Sequence, residues 1–275
     1  MLRKIIVALL ATAISVGIAS AAMAQDTGRY GSPFCGANAW VWAVTTPRMT
    51  IHDSPGSCVM APSKTKDAFT VTSGGTGGFP NIASGYELGV DSCPSKADQA
   101  DGLCGLYPVQ LGKEGEPHAT VKAWMPAGYT GNIAYDDWYS PAVNRTGYSG
   151  RCAADLNDAY VEIMVWVAHP GDYPGRASDY TVRLDGRKWR VMTWETTTGC
   201  PRGEGWRLLI FEAPRVSTGT VVVHNLKLNV FSGYAIKRGW MTGGWYLDAI
   251  DVGAEMRTHG TGLAIENYTL TGDAK

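Results

Sequence analysis

The chain has 275 residues, with 24 Lys and Arg against 25 Asp and Glu and a formal net charge of −1. Proteins that bind nucleic acid or an anionic membrane need a basic surface, so this balance argues against both partners and favours a neutral one. The 34 glycines supply many turns.

Residues 1–24 have the features of a secretory signal peptide. Arg3 and Lys4 precede an apolar stretch that ends in Ala22-Met23-Ala24, which is the order of charge, apolar core and cleavage site in such peptides. An uncleaved membrane anchor is the alternative, because the stretch is close to spanning length. Its second half is rich in small residues, which favours cleavage. We therefore expect a secreted protein, extracellular or periplasmic, in which residues 25–275 form one domain.

The six cysteines of an exported chain are expected to pair. Their spacing favours two local bridges, Cys35–Cys58 and Cys93–Cys104, which leaves Cys152–Cys200. The sequence alone also permits the other pairings. A metal site is the competing interpretation, but the chain has no Cys-x-x-Cys or His-x-x-x-His spacing.

Helical periodicity is nearly absent, and short apolar alternations between turn residues predict many strands. Gly-rich loops are expected at residues 73–79 and 91–105, and one short helix within 233–244. The predicted strands cover residues 119–125, 132–140, 160–168, 180–184, 188–195, 206–213, 220–231, 245–252 and 262–270. Many short strands with frequent turns predict a β-sandwich or barrel.

The strand at residues 160–168 separates two different faces. Side chains alternate along a strand, so Val161, Ile163, Val165 and Val167 form one β-branched core face. The other face holds Tyr160, Glu162, Met164, Trp166 and Ala168. A carboxylate among aromatic and apolar neighbours suits a partly dehydrated cleft, although a structural Glu paired beneath an aromatic cluster explains the pattern equally well.

A second strand repeats the combination of a carboxylate and an indole. Asn132, Ala134, Asp136 and Trp138 share one face of residues 132–140. Sugar rings stack on indoles, and the chain holds 10 Trp and 13 Tyr, so we expect Trp138 and Trp166 to line the cleft. Further on, Glu255 follows the strand at 245–252 beside small residues, where it can approach a ligand closely.

These segments resemble glycoside hydrolase family 12. Tyr160-Val161-Glu162-Ile163-Met164-Val165-Trp166 resembles the strand of the family's nucleophile, and Gly253-Ala254-Glu255 before Gly262-Leu263-Ala264 resembles its acid/base segment. Ala134-Tyr135-Asp136 is similar to the strand whose Asp lies next to the nucleophile. The resemblance spans roughly residues 35–272.

The resemblance implies a jelly-roll β-sandwich of two curved antiparallel sheets, with a substrate cleft on the concave face. It implies Glu162 as nucleophile, Glu255 as acid/base and Asp136 as the neighbour of the nucleophile. Substrate contacts are implied for the early Asn-x-Trp element, the nucleophile strand and the loop that crosses the cleft. These residues are Asn38, Trp40, Trp138, Met164, Trp166 and Pro174.

Three departures from the family pattern bear on substrate preference. Val41 stands where Gly usually follows the early Trp, and Met256-Arg257 follow the acid/base Glu in place of Pro or Ile and an aromatic residue. Asp137 occupies a position that is expected to be apolar.

The function implied is that of a retaining endo-β-1,4-glucanase, monomeric and without cofactor or metal. A xyloglucan-specific endoglucanase is an alternative. An endo-xylanase is disfavoured by the Met-x-Trp form of the nucleophile strand. A secreted lectin that keeps the aromatic cleft is the alternative from another class, disfavoured because binding alone does not need two acids.

Overall fold

The computed structural model describes residues 29–35, 40–43, 49–87, 90–91, 107–113, 115–143, 152–155, 157, 159–171, 180–196 and 200–273. Strands dominate this part of the chain, and they form two main sheets with one helix beside them. No helix in the described ranges combines the length and apolar character needed to cross a membrane.

The smaller main sheet has six strands, which are β1 (Phe34–Cys35), β4 (Ser57–Met60), β5 (Phe69–Gly74), β9 (Gly115–Met125), β16 (Gly219–Lys227) and β19 (Ala264–Asp273). Their order across the sheet is β1-β4-β5-β19-β9-β16, and all of these pairings are antiparallel.

The larger sheet has eleven strands, which are β2 (Trp40–Ala43), β3 (Met49–His52), β6 (Asn81–Glu87), β7 (Val90–Asp91), β8 (Val109–Gln110), β11 (Ile133–Ser140), β12 (Val161–Ala168), β13 (Tyr180–Leu184), β14 (Arg187–Thr196), β15 (Trp206–Glu212) and β17 (Tyr246–Gly253). Nine of them follow the order β13-β14-β15-β12-β11-β17-β6-β3-β2, with β7 on β6 and β8 on β17. The β12–β15 pairing is parallel, whereas the expected sheets were wholly antiparallel.

Three further elements complete the described fold. Strands β10 (Thr130–Gly131) and β18 (Met256–Thr258) pair with each other, and the helix α1 spans Asn229–Lys237. The helix packs through Phe231, whose ring lies 5.1 Å from Trp189 and 4.9 Å from Phe211 between centroids. It therefore covers the core side of β14 and β15.

The core lies between the two main sheets, which is the sandwich arrangement predicted from the sequence. Val161, Ile163 and Val165 on β12 are fully buried and belong to one apolar cluster with Val121 and Ile265 of the smaller sheet. The predicted β-branched core face of β12 is therefore confirmed.

The predicted strands differ from the observed ones mainly in two places. The strand expected at 220–231 ends at Lys227, and α1 begins at Asn229, earlier than the helix expected within 233–244. Phe231 and Ala235 are both buried one helical turn apart, so Phe231 belongs to the buried face of a helix. In the first half of the chain, β5 includes the first two residues of the expected loop at 73–79.

Two of the three predicted disulfides are confirmed. Cys35 is bonded to Cys58, with a sequence separation of 23, and Cys152 to Cys200, with a separation of 48. Cys93 and Cys104 lie outside the described residues, as does the predicted signal peptide.

Asp137 lies on the core face of β11, between Tyr135 and Tyr139. The side chain is fully buried, and this burial raises the pKa of its carboxyl well above the usual value, against the opposing effect of a hydrogen bond with Tyr139. The position is therefore a core position, as the resemblance implied, and burial there favours the neutral form of the acid.

Candidate active site

The face of the larger sheet that is turned away from the core, here called the outer face, carries the acids of β11 and β12. In the antiparallel pairing of these strands Trp138 lies opposite Glu162, and Asp136 lies opposite Met164. Directly opposed residues share a face, and diagonal neighbours on it stay within reach of long side chains. The structure therefore brings Asp136 and Glu162 together.

Glu162 is buried and held by an indole. Its side chain is 8% exposed, and Trp206 Nε1 donates a hydrogen bond to Glu162 Oε2 at 2.8 Å. The parallel pairing sets Glu162 beside Leu208, and Trp206 precedes Leu208 by two residues on the same face. A donor directed at a buried carboxylate stabilises its ionised form.

The indole that donates to Glu162 lies in a buried aromatic cluster next to a disulfide. Trp206 packs in a buried cluster with Trp138, Ala159 and Tyr160, and the half-cystines Cys152 and Cys200 pack against that cluster. The bond between these two cysteines also ties the segment before β12 to the segment before β15. The disulfide therefore supports the position of the donor to Glu162.

Glu255 is fixed by reciprocal bonds with Asn132. Asn132 Nδ2 donates to Glu255 Oε2 at 2.6 Å, and the Glu255 backbone N–H donates to Asn132 Oδ1 at 3.3 Å. The Asn132 backbone N–H donates to the Glu255 carbonyl oxygen at 3.1 Å. The Tyr129 hydroxyl also donates to this carbonyl oxygen, at 3.0 Å. Both the backbone and the carboxyl of Glu255 are thus held in place.

The surroundings of Glu255 favour its protonated form. Burial raises the pKa of the Glu255 carboxyl, while the hydrogen bond from Asn132 and the positive charge of Arg257 act in the opposite direction. The net effect is a raised pKa, which is the property required of a general acid near neutral pH.

The two glutamates lie at different levels of β11. Glu162 is level with Trp138, whereas Glu255 is level with Asn132, which corresponds to roughly 20 Å along a straight strand at about 3.3 Å per residue. The pairing register therefore places Glu162 near Asp136 and places Glu255 near the opposite end of β11.

Among the residues that the structure describes, no three His, Cys, Asp or Glu side chains are arranged to bind a metal ion.

A further carboxylate adjoins Asp136 on the outer face. Asp251 of β17 lies directly opposite Asp136 in the β11–β17 pairing. Its side chain is fully buried, and Asn81 Nδ2 of β6 donates to Asp251 Oδ2 at 3.4 Å. Three acids from three adjacent strands thus lie side by side in the order Glu162, Asp136, Asp251.

Of the residues predicted to contact substrate, the structure shows three as buried side chains and does not describe the side chains of the other three. Met164 and Trp166 pack in a buried outer-face cluster, and Trp166 is only 2% exposed, against 6% for Trp138. Little indole surface is therefore open for a sugar ring to stack on. Of Trp40 only the backbone in β2 is described, and Asn38 and Pro174 lie outside the described residues. Their contacts with substrate stay predictions.

The family model described as "Glycosyl hydrolase family 12" matches residues 126–272, a range that includes both glutamates and all three adjacent acids. The chain belongs to glycosyl hydrolase family 12. It is therefore a glycoside hydrolase, and the implied class of substrate is a polysaccharide. A comparison with curated proteins found no match.

Solved structures of family 12 proteins have the same fold as this glycosyl hydrolase. A metagenome-derived family 12 endoglucanase superposes with a TM-score of 0.65 at 22% identity, covering 89% of this chain and 98% of that one. The endoglucanase Cel12A from Rhodothermus marinus gives 0.63 at 23% identity, with 87% and 98% covered. A family 12 xyloglucanase from Bacillus licheniformis gives 0.64 at 19% identity, with 87% and 99% covered. These similarities show the fold of the present family 12 chain, a jelly-roll sandwich.

Three residues around the acids of this glycosyl hydrolase were not predicted as site residues. Asn132 was recognised as a neighbour on the face of Asp136, but its bond to Glu255 depends on where the chain turns after β17. Trp206 opens a predicted strand, yet only the parallel β12–β15 pairing brings it to Glu162. Asp251 alternates with Ala249 in the strand predicted at 245–252, and this pattern was the available signal.

Proposed function

We propose that this family 12 glycoside hydrolase is a secreted endo-β-1,4-glucanase that cleaves internal bonds of soluble or amorphous β-glucan with retention of configuration. The proposal assigns Glu162 as the nucleophile, Glu255 as the acid/base and Asp136 as the residue that positions Glu162. Secretion is supported by the signal-like residues 1–24 and by two disulfides.

The observation that carries the proposal is the contrast between the two glutamates. Glu162 receives a hydrogen bond from the Trp206 indole, which favours a carboxylate, while burial raises the pKa of Glu255, which favours a carboxylic acid. Two carboxyl groups driven toward opposite protonation states are what glycoside hydrolysis by acid and nucleophile requires.

The mechanism has two steps. Glu162 Oε attacks the anomeric carbon while Glu255 gives its proton to the leaving glycosidic oxygen, so that a covalent glycosyl-enzyme forms and the bond to the leaving chain breaks. Glu255, now a carboxylate, then takes a proton from water. The resulting hydroxide attacks the anomeric carbon and releases Glu162, which restores the starting protonation states.

A retaining mechanism requires the two carboxyl groups to lie closer together than the strand pairing alone places them. The two carboxyl groups must lie about 5–5.5 Å apart, whereas inversion needs roughly 6.5–9.5 Å. With about 20 Å between the levels of the two residues along a straight β11, curvature of the sheet and the reach of both side chains must supply the convergence. A crystal structure with an oligosaccharide bound across the site measures this separation directly, and a value above the inverting range refutes the paired roles.

The decisive biochemical test uses the variants Glu162→Gln and Glu255→Gln, with Glu195→Gln as matched control because Glu195 is exposed on β14. Release of reducing sugar from carboxymethyl-cellulose, xyloglucan and xylan is measured for each purified protein. We expect loss of at least about a thousandfold in kcat for Glu162→Gln and unchanged activity for Glu195→Gln. Substantial turnover by Glu162→Gln contradicts the nucleophile assignment.

The same substrates distinguish the alternatives. Hydrolysis restricted to xyloglucan identifies a xyloglucanase, and hydrolysis of xylan alone a xylanase. Binding of a glucan with no release from any of the three polymers identifies a lectin.

A further inference from the structure

The core face of β14 and β15 continues past the apolar core into a pocket. Along β14 burial decreases from Val191 through Thr193 to the exposed Glu195, and along β15 it decreases from Phe211 to the half-buried Arg207. The pocket has a volume of about 330 Å³, at the lower end of the range of about 300–1,000 Å³ for small-molecule sites. It is lined by Thr193, Glu195, Arg207, Leu209 and Trp240.

This pocket lies on the opposite side of the larger sheet from the candidate active site. Arg207 follows Trp206 directly, and successive side chains of a strand point to opposite faces. Trp206 donates to Glu162 on the outer face, whereas Leu209, two residues after Arg207, belongs to the core cluster. A ligand in the pocket is therefore separated by the sheet from a substrate at the acids.

The guanidinium of Arg207 is fixed in place and still has donors to offer. Arg207 Nη1 donates to the Trp240 carbonyl oxygen at 3.0 Å, and Arg207 Nη2 donates to Asn157 Oδ1 at 3.4 Å. A guanidinium has five N–H donors, so these two bonds within the described residues leave three for a ligand. Glu195 lies opposite Arg207 in the β14–β15 pairing, and its negative charge disfavours an anionic ligand relative to a neutral one.

Trp240 contributes a half-buried indole whose position is fixed by its neighbours. Its backbone N–H donates to the Ala235 carbonyl oxygen at 3.1 Å, and its ring packs edge-on against Tyr234 at 6.1 Å between centroids. The guanidinium of Arg238 lies 5.5 Å from the centroid of the indole. An indole has two faces, so a cation over one of them leaves the other for the C–H face of a sugar ring, whose hydroxyl oxygens can accept from Arg207.

We propose that this pocket is a second carbohydrate-binding site, which holds one sugar unit of a glucan between the Trp240 indole and the Arg207 guanidinium. The ligand is taken from the proposed substrate, so the inference rests on the proposed function. Once a glucan chain is bound in the pocket, its binding at the acids becomes an intramolecular event. The second site thereby raises the local concentration of substrate at the catalytic residues.

The test follows two indole N–H signals by NMR while cellotetraose is titrated into the Glu162→Gln enzyme. The Trp206 signal reports binding at the acids and the Trp240 signal reports binding in the pocket, and each is assigned by its loss in the corresponding Trp→Phe variant. We expect both signals to shift saturably, each with its own dissociation constant. In the variant that also carries Arg207→Gln, the dissociation constant from Trp240 is expected to rise about tenfold or more while that from Trp206 stays the same.

The matched control is Trp124, whose side chain is 43% exposed on β9 of the other sheet. Its indole signal is expected to stay in place throughout the titration. Glycerol, added to the same concentration of hydroxyl groups, controls for a general effect of polyols. A shift of the Trp240 signal that is as large with glycerol as with cellotetraose overturns the assignment of a sugar site.

The outcomes separate the two proposals. An unmodified enzyme that hydrolyses none of the glucans refutes the proposed function, whatever the Trp240 signal does. If the unmodified enzyme is active but the Trp240 signal does not shift with cellotetraose, the second site alone is overturned. The second site is also overturned if Arg207→Gln leaves the dissociation constant from Trp240 unchanged, because a shift passed on from the acids through the sheet gives that result.

Discussion

Replacement of Asp248 by Asn is expected to stabilise the protein at alkaline pH and to leave its stability at acid pH unchanged. Asp248 lies in β17 with 4% of its surface exposed. Burial raises the pKa of its carboxyl from 3.8 to about 7, against the opposing effect of the Ser140 hydroxyl. The folded protein therefore keeps a proton on Asp248 at pH values where the unfolded chain has lost it.

The sign and size follow from this difference in proton affinity. A raised pKa contributes stability that is fully present below about pH 4 and is lost as the pH rises to about 7. At about 1.4 kcal/mol per pH unit, the free energy of unfolding falls by up to about 4 kcal/mol across that range. The Asn side chain carries no proton to lose, so the variant avoids this fall.

Thermal unfolding followed by circular dichroism at pH 4 and pH 8.5 measures the effect. For a domain of about 250 residues each kcal/mol shifts Tm by about 2–4 °C, so Asp248→Asn is expected to raise Tm by up to about 8–16 °C at pH 8.5 and by almost nothing at pH 4. Glu195→Gln, a change at an exposed position on β14 of the same sheet, controls for a general effect of lower charge. An equal shift at both pH values, or none at pH 8.5, refutes the reasoning.

Two further predictions concern the donors that hold the glutamates. Trp206→Phe keeps an aromatic ring in place but removes the N–H that donates to Glu162 at 2.8 Å. Loss of this charge-assisted bond, worth about 1.5–3 kcal/mol, is expected to lower kcat/KM about 10- to 100-fold. Because the bond stabilises the ionised form of Glu162, its loss also moves the acid limb of the kcat/KM profile to higher pH. Asn132→Ala removes the group that lowers the pKa of Glu255, so the alkaline limb moves to higher pH while kcat falls because the acid is less well held. Steady-state kinetics from pH 4 to pH 9 test both, and a limb that moves toward lower pH in either variant contradicts the corresponding role.

The sequence predicted correctly which side chains lie on which face of a strand, because that depends only on alternation within the strand. The faces of β11 and β12 follow from a period of two, and so did the position of Glu162 behind a β-branched core face. The helix α1 was only partly foreseen, because the run Val230-Phe231 suits a strand as well as a helix and only packing against Trp189 and Phe211 decides between them.

Contacts between strands distant in sequence were beyond prediction from one chain. Trp206 reaches Glu162 over 44 positions, and Asn132 reaches Glu255 over 123. The first contact depends on the parallel β12–β15 pairing. Parallel strands are joined by long connections rather than by tight turns, so no turn motif in the sequence predicts this pairing. The resemblance to family 12 supplied the identities of the two glutamates, but it did not supply the donors that set their protonation.

Three buried acids affect stability in the same direction, and one of them, Glu255, also has a proposed catalytic role. Burial raises the pKa values of Asp137, Asp248 and Glu255, and each raised value favours the folded state at low pH and loses that contribution as the pH rises. The proton on Glu255 is also the one that the proposed first step consumes. Rising pH therefore removes the catalytic proton and weakens the fold by the same kind of ionisation, and both effects originate in carboxyl groups buried in or beside one sheet. The enzyme is expected to be most stable and most active on the acid side of neutrality, because ionisation of each of these buried acids lowers the free energy of unfolding.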